Sequence, residues 1–148
     1  MEIERKYLIN TLPENLNIVE SRLLEQGYLC TEPVVRIRRD NDEFILTYKS
    51  KGLMIREEHN LPLTPAAYEH LKEKVDGRLI SKTRHVIPLD GGLKIELDIF
   101  HGDLAPLMLA EVEFLDEESA NAFVAPEWFG EDVTFSSKYH NSNLSKTE

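Results

Sequence analysis

Apolar and polar positions alternate with a period of two along most of this chain, in short β-branched and aromatic runs separated by Gly, Pro, Asn or Asp. The alternation predicts eight strands, over residues 2–10, 21–29, 34–39, 43–51, 55–63, 79–89, 93–100 and 107–115. Asp40-Asn41-Asp42 and Asp90-Gly91-Gly92 tolerate positive φ, so each predicts a hairpin turn between its flanking strands. Thr64-Pro65 supplies an N-cap and a first-turn proline for an amphipathic helix that runs through Lys72 and ends near Gly77. A second helix is expected over 117–124 and a third over 136–145, the latter anchored by Tyr139 and Leu144. No long linker, repeat or low-complexity tract divides the chain, so residues 1–148 are read as a single domain.

One face of the strands is repeatedly apolar and the other carries charge of both signs, although the sixth strand sets Lys82 and Arg84 against Ser81 and Thr83. Ile3, Tyr7 and Ile9 oppose Glu2, Glu4 and Lys6, with Arg5 an odd member of the apolar face. Val35 and Ile37 oppose Arg36 and Arg38, and Leu46 and Tyr48 oppose Thr47 and Lys49. Arg56, Glu58 and Asn60 share a side, as do Lys82 and Arg84. Glu96 and Asp98 stand against Ile95, Leu97 and Ile99, and Glu111 and Glu113 against Ala110, Val112 and Phe114. An antiparallel sheet with one wet face shows the same rhythm. What differs here is segregation, because some strands are wholly basic and others wholly acidic. Like charges two residues apart repel, and a ligand of opposite sign offsets that repulsion.

At 148 residues, 41% hydrophobic and 30% charged, the composition fits a soluble domain with a real core. No apolar run approaches the roughly 20 residues that span a bilayer, and the start of the chain lacks the pattern of a secretory signal. Cys30 is the only cysteine, which excludes an internal disulfide. These features place the protein in the cytoplasm, with no membrane partner. The net charge of −10 argues against generic nucleic-acid binding.

Glu2-Ile3-Glu4-Arg5-Lys6 resembles the E-x-E-x-K signature of the CYTH superfamily, the triphosphate tunnel metalloenzymes. Further matches follow in order: Gln26-Gly27-Tyr28-Leu29, Arg36-Ile37-Arg38, Thr47-Tyr48-Lys49-Ser50, Lys82-Thr83-Arg84, Glu96-Leu97-Asp98-Ile99-Phe100, Ala110-Glu111-Val112-Glu113-Phe114, Trp128-Phe129-Gly130 and Lys138-Tyr139-His140-Asn141. The resemblance covers essentially the whole chain and lies closest to short bacterial members acting on inorganic tripolyphosphate. It implies a mainly β fold, an eight-stranded antiparallel closed barrel with flanking helices, and a polar tunnel into which the charged faces point.

On that reading, Lys6, Arg36, Arg38 and Lys49 cradle the phosphates together with Arg56, Lys82 and Arg84, because guanidinium and ammonium groups match phosphate oxygens. Lys138 reaches the tunnel from the C-terminal segment or else stays in solvent. Glu2, Glu4, Asp98, Glu111 and Glu113 are the candidate ligands for Mg²⁺ or Mn²⁺, hard ions that prefer oxygen. Glu96 joins them directly, through water, or by pairing with an Arg; an internal ion pair is the alternative for every carboxylate. Tyr28, Lys82 and Glu58 are the candidates for proton transfer, and packing is the alternative for Tyr28. Two ions are expected, one screening the phosphates and one acidifying a water that attacks the terminal phosphorus. Asn60 stands where relatives tend to carry Glu. A metal-dependent tripolyphosphatase is the first reading. Thiamine or nucleoside triphosphatase, adenylate cyclase and a non-catalytic polyphosphate or nucleotide binder are the alternatives; the oligomeric state stays open.

Overall fold

Nine strands form one antiparallel sheet in the computed structural model of the chain, which describes residues 1–146. They are β1 (Glu2–Leu8), β2 (Glu20–Thr31), β3 (Val34–Asp40), β4 (Glu43–Lys49), β5 (Ile55–Arg56), β6 (Glu58–Pro62), β7 (Asp76–Pro88), β8 (Lys94–Phe100) and β9 (Met108–Glu113). Their spatial order is β5-β1-β9-β8-β7-β2-β3-β4-β6. The two end strands are consecutive in the chain, with only Glu57 between them. β5 bonds to β1 and β6 to β4, so the sheet returns on itself as a nearly closed barrel.

The strand expected over 55–63 is therefore two strands. At the break, the backbone of Glu57 leaves both ladders and bonds to Ser50, whose N–H donates to Glu57 O at 3.0 Å and whose Oγ accepts from Glu57 N at 2.9 Å. Both predicted hairpins are present, with Asn41 at φ 51° and Gly91 and Gly92 at φ 77°.

Helix α1 (Pro65–Lys72) opens on Thr64, whose side chain accepts from Ala67 N at 3.1 Å. It packs the fully buried Tyr68 beneath it, with the Tyr68 hydroxyl donating to Glu25 at 2.8 Å. The helix stops well before Gly77, because β7 already begins at Asp76. Gly77 sits at φ +68°, and a Cβ there would lie 2.2 Å from Ser145 O, so this backbone position suits glycine alone. Helix α2 (Glu117–Ala122) ends two residues earlier than expected. The tail is a single 3-10 turn at Ser137–Tyr139 and one helical turn, α3 (Asn141–Leu144), separated by the extended backbone of His140.

The main apolar core lies outside the barrel wall. Ile3, Ile95, Leu97, Ala110 and Val112 present their outward faces to Ala120, Phe123, Trp128 and Phe129. Arg5, the odd member of that face, fastens this cover. Its guanidinium donates to Ala120 O at 2.7 Å and to Thr134 Oγ1 at 3.3 Å and pairs with Asp132. The inward row turns apolar at one end of the lumen, where Ile80, Phe100 and Leu109 meet Val133, Tyr139 and Leu144 of the tail. Arg78 ties the tail down, donating through Nε to Leu144 O at 2.8 Å and through its backbone N–H to Ser145 O at 2.6 Å.

Candidate active site

Every second residue of a strand faces the same way, so a closed barrel collects one charged face of each strand around its axis. A cavity of about 220 Å³ occupies that axis. Lys6, Arg36, Arg38, Lys49, Arg56 and Arg84 reach its wall. Glu2, Glu4, Glu58, Glu96, Glu111 and Glu113 supply carboxylates to the same space, and the buried Tyr28 also faces it.

Three predicted site residues lie elsewhere. Lys82 and Asp98 have the inward parity but sit behind the wall, each side chain 0% exposed. Asp98 grips Arg84 through two bonds, from Nε at 2.7 Å and from Nη2 at 2.8 Å. Its Oδ2 also lies 2.6 Å from Lys82 Nζ, though off the line of a good hydrogen bond. Both Asp98 oxygens are thus committed to protein cations, and Lys82 is spent on Asp98. Lys138 is exposed and lies over its neighbour's ring, 5.3 Å from the Tyr139 centroid. The tail residue at the cavity is Asn141, whose Oδ1 is buried without a hydrogen-bond partner among the described residues.

Arg22 was missed. It lines the cavity from β2 and is held by Asp40 at 2.7 Å, Glu20 at 3.0 Å and Glu96 at 3.7 Å. The signal was available: Arg22 shares parity with Tyr28, six residues on. Gln26, also of that parity, was not singled out either; its Oε1 accepts from Arg38 Nε at 3.1 Å and Nη2 at 2.9 Å and so aims the guanidinium. Asn60 relays between strands, accepting from Thr47 Oγ1 at 2.6 Å while its Nδ2 donates to Glu58 at 3.3 Å. A carboxylate there could not make the second bond. Thr47 in turn accepts from Arg36 Nη2 at 3.3 Å, and Arg36 Nε is buried without a hydrogen-bond partner among the described residues.

The charges perturb one another strongly. Burial raises the Glu2 carboxyl, Lys49 at 3.0 Å opposes that rise, and Glu58 adds to it. Glu4 is held well above the usual carboxylate range by burial and then by Glu111 and Glu2. Burial also raises Glu113, reinforced by Glu2 and Glu96. Glu111 goes the other way: burial opposes its charge, but Lys6, 3.7 Å away, and Arg84 hold it well below the usual range. Burial likewise opposes the Lys6 charge, and Glu111 and Glu4 outweigh it, with Tyr28 among the further groups that favour the ammonium. Burial and the neighbouring Arg36 and Arg84 pull Arg38 down to about 9. The lumen holds cations short of anions beside carboxylates short of cations.

This donor set fits a divalent metal. The Glu4 carboxylate makes no ion pair or hydrogen bond among the described residues, and its repulsion from Glu2 and Glu111 is what a hard cation would relieve. Among the described residues, no three acidic, His or Cys side chains already converge as a metal cage.

Barrel and lumen together define a class. A model of the CYTH domain matches residues 1–148, and the chain belongs to that family, which implies dependence on a divalent metal. The chain is 43% identical over 147 residues to the inorganic triphosphatase of Nitrosomonas europaea, covering 97% of this chain and 95% of that protein. It is 34% identical over 152 residues to the inorganic triphosphatase of Acetivibrio thermocellus, covering 98% and 93%. The crystal structure of the inorganic triphosphatase NE1496 superposes with a TM-score of 0.74 at 39% identity, covering 100% of this chain and 96% of that one.

Proposed function

We propose that this protein hydrolyses inorganic tripolyphosphate to diphosphate and orthophosphate, with water as the nucleophile and a divalent cation bound in the lumen. The observation that carries the reading is local charge. A chain of net charge −10 gathers seven cationic side chains around one enclosed cavity and interleaves them with carboxylates. The naming of both relatives as inorganic triphosphatases supports the same substrate.

The chain's own residues divide the work. Arg36 keeps a buried Nε–H free for an anion, Gln26 orients Arg38, and Asp98 braces Arg84, so the donors are aimed before substrate arrives. Lys6, kept charged by Glu111 and Glu4, adds an ammonium, and Lys49 and Arg56 add cations near Glu2 and Glu58. Glu2, Glu4 and Glu113 are the oxygens we assign to metal; a divalent ion there would neutralise phosphate charge and acidify the attacking water. Glu58 and Glu96 are assigned supporting roles, Glu58 beside Lys49 and Asn60, Glu96 beside Arg84 and Arg22. Tyr28, which lines the same cavity as Lys6, is the hydroxyl we assign to proton transfer, with Lys6 in the part first expected of Lys82. Attack on the terminal phosphorus breaks one P–O–P bond, and diphosphate leaves with the electron pair.

No helix among the described residues is long and apolar enough to cross a membrane. We place the reaction in the cytoplasm, where the free Cys30 stays reduced. The test is orthophosphate release from tripolyphosphate with Mg²⁺ or Mn²⁺ and again with a chelator. Multiple turnovers that stop on chelation are expected; tight retention of tripolyphosphate without turnover in either condition makes the protein a binder.

A further inference from the structure

A second cavity, of about 260 Å³, lies where the β2–β3 turn, the loop after β4 and the C-terminal tail converge. Val34 and Arg56 line both this cavity and the lumen, so the two chambers share a wall. Their chemistry differs. The lumen interleaves cations with many carboxylates. The second chamber is lined by Lys51, Arg56 and Lys146, and Glu32 is its only carboxylate among the described residues. Lys51 and Lys146 are both exposed, and no ion pair or hydrogen bond of either ammonium is present among the described residues. His140, also in the lining, sits between the two chambers: burial and then the lumen cations Lys6 and Lys49, with Arg56 of the shared wall, oppose its proton, leaving a pKa of about 4. A chamber with a cation excess and almost no carboxylate suits an anion that arrives without its own metal. No Phe, Tyr or Trp among the described residues lines it, so a nucleobase would find no ring to stack on.

We propose that this chamber is a subsite for a fourth phosphoryl group, so that linear polyphosphates longer than three units thread from the lumen past Arg56 and are gripped by Lys51 and Lys146. The inference rests on the tripolyphosphatase reading. Three phosphates occupy the lumen, water attacks the terminal phosphorus there, and the shortened chain leaves as the anion.

The experiment compares kcat/KM for tripolyphosphate, tetrapolyphosphate and ATP at one free Mg²⁺ concentration, in the wild type and in the double variant Lys51→Ala/Lys146→Ala. Two exposed charge contacts predict a loss of about fivefold for tetrapolyphosphate. Tripolyphosphate should stay within about twofold, since neither lysine reaches the lumen. An equal loss for both polyphosphates, or none for tetrapolyphosphate, overturns the subsite while leaving the tripolyphosphatase intact. A loss confined to ATP overturns it in favour of an organic group. Failure of the wild type to hydrolyse tripolyphosphate sinks the underlying reading, and the subsite with it.

Discussion

Asp98→Asn removes the charge that neutralises two cations while keeping the side chain's shape. Lys82 and Asp98 are both 0% exposed, and Lys82 has no other carboxylate within ion-pair distance among the described residues. Lys82 can escape by losing its proton. Its pKa is already about 8, lowered by burial against the opposing pull of Asp98, so shedding the proton at pH 7 costs on the order of 1 kcal/mol. Arg84 has no such escape. It loses one of its two charge-assisted bonds to Asp98, worth about 1.5–3 kcal/mol, and keeps only the contact to Glu96 at 3.2 Å and the neutral Asn oxygen. The total, about 3–4 kcal/mol, falls within the range for breaking a buried ion pair and corresponds to a drop in Tm of roughly 10 °C for a chain of this size. Differential scanning fluorimetry without metal reads it directly. Adding Lys82→Met to the variant should restore part of the loss, since no ammonium then needs a partner. A metal-free Tm within about 2 °C of the wild type would refute the reasoning and return Asp98 to the pool of metal ligands.

Arg38→Ala should raise the KM for tripolyphosphate by about 10- to 100-fold with a smaller effect on kcat, because a guanidinium aimed by Gln26 is lost from the cradle; an unchanged KM would place Arg38 outside the binding path. His140→Asn should flatten the pH dependence of stability. The native-state pKa of about 4 lies below the usual 6.5, so the wild type loses stability as pH falls from 6.5 to 4, when the unfolded chain takes up the proton first. Parallel Tm-versus-pH curves for wild type and variant across that window would contradict it.

Parity carried most of the site from the sequence. Glu4, Lys6, Arg36, Arg38, Arg84 and Glu111 each share one face of their strand with the other charged positions, and closure of the sheet turns those faces into a lumen. Parity does not measure depth along the axis. Lys82 and Asp98 point inward like Arg84 and Glu96, yet their level has the apolar Leu24, Phe100 and Leu109 as cross-strand neighbours, and they pair with one another there. Arg22 stood alone in a strand without an obvious charged face, so its shared parity with Tyr28 was the one local mark it carried. The break at Glu57 and the early start of β7 at Asp76 depend on distant partners, Ser50 and, through Gly77 and Arg78, Ser145, that no local pattern reveals. The same holds for the tail, where Asn141 faces the cavity and Lys138 does not, because α3 is a single turn pinned through Arg78.

The enclosed, metal-dependent lumen is tested most directly by steady-state orthophosphate release from tripolyphosphate by Glu4→Gln at saturating Mg²⁺, with the metal-free Tm measured alongside. Burial, Glu111 and Glu2 disfavour the charge on Glu4, which has no protein counter-ion at bonding distance among the described residues, so its neutral replacement should leave the metal-free Tm unchanged or higher while turnover falls by about 100-fold or more. Turnover within about threefold of the wild type in a folded Glu4→Gln protein would mean that the chemistry does not take place at these carboxylates.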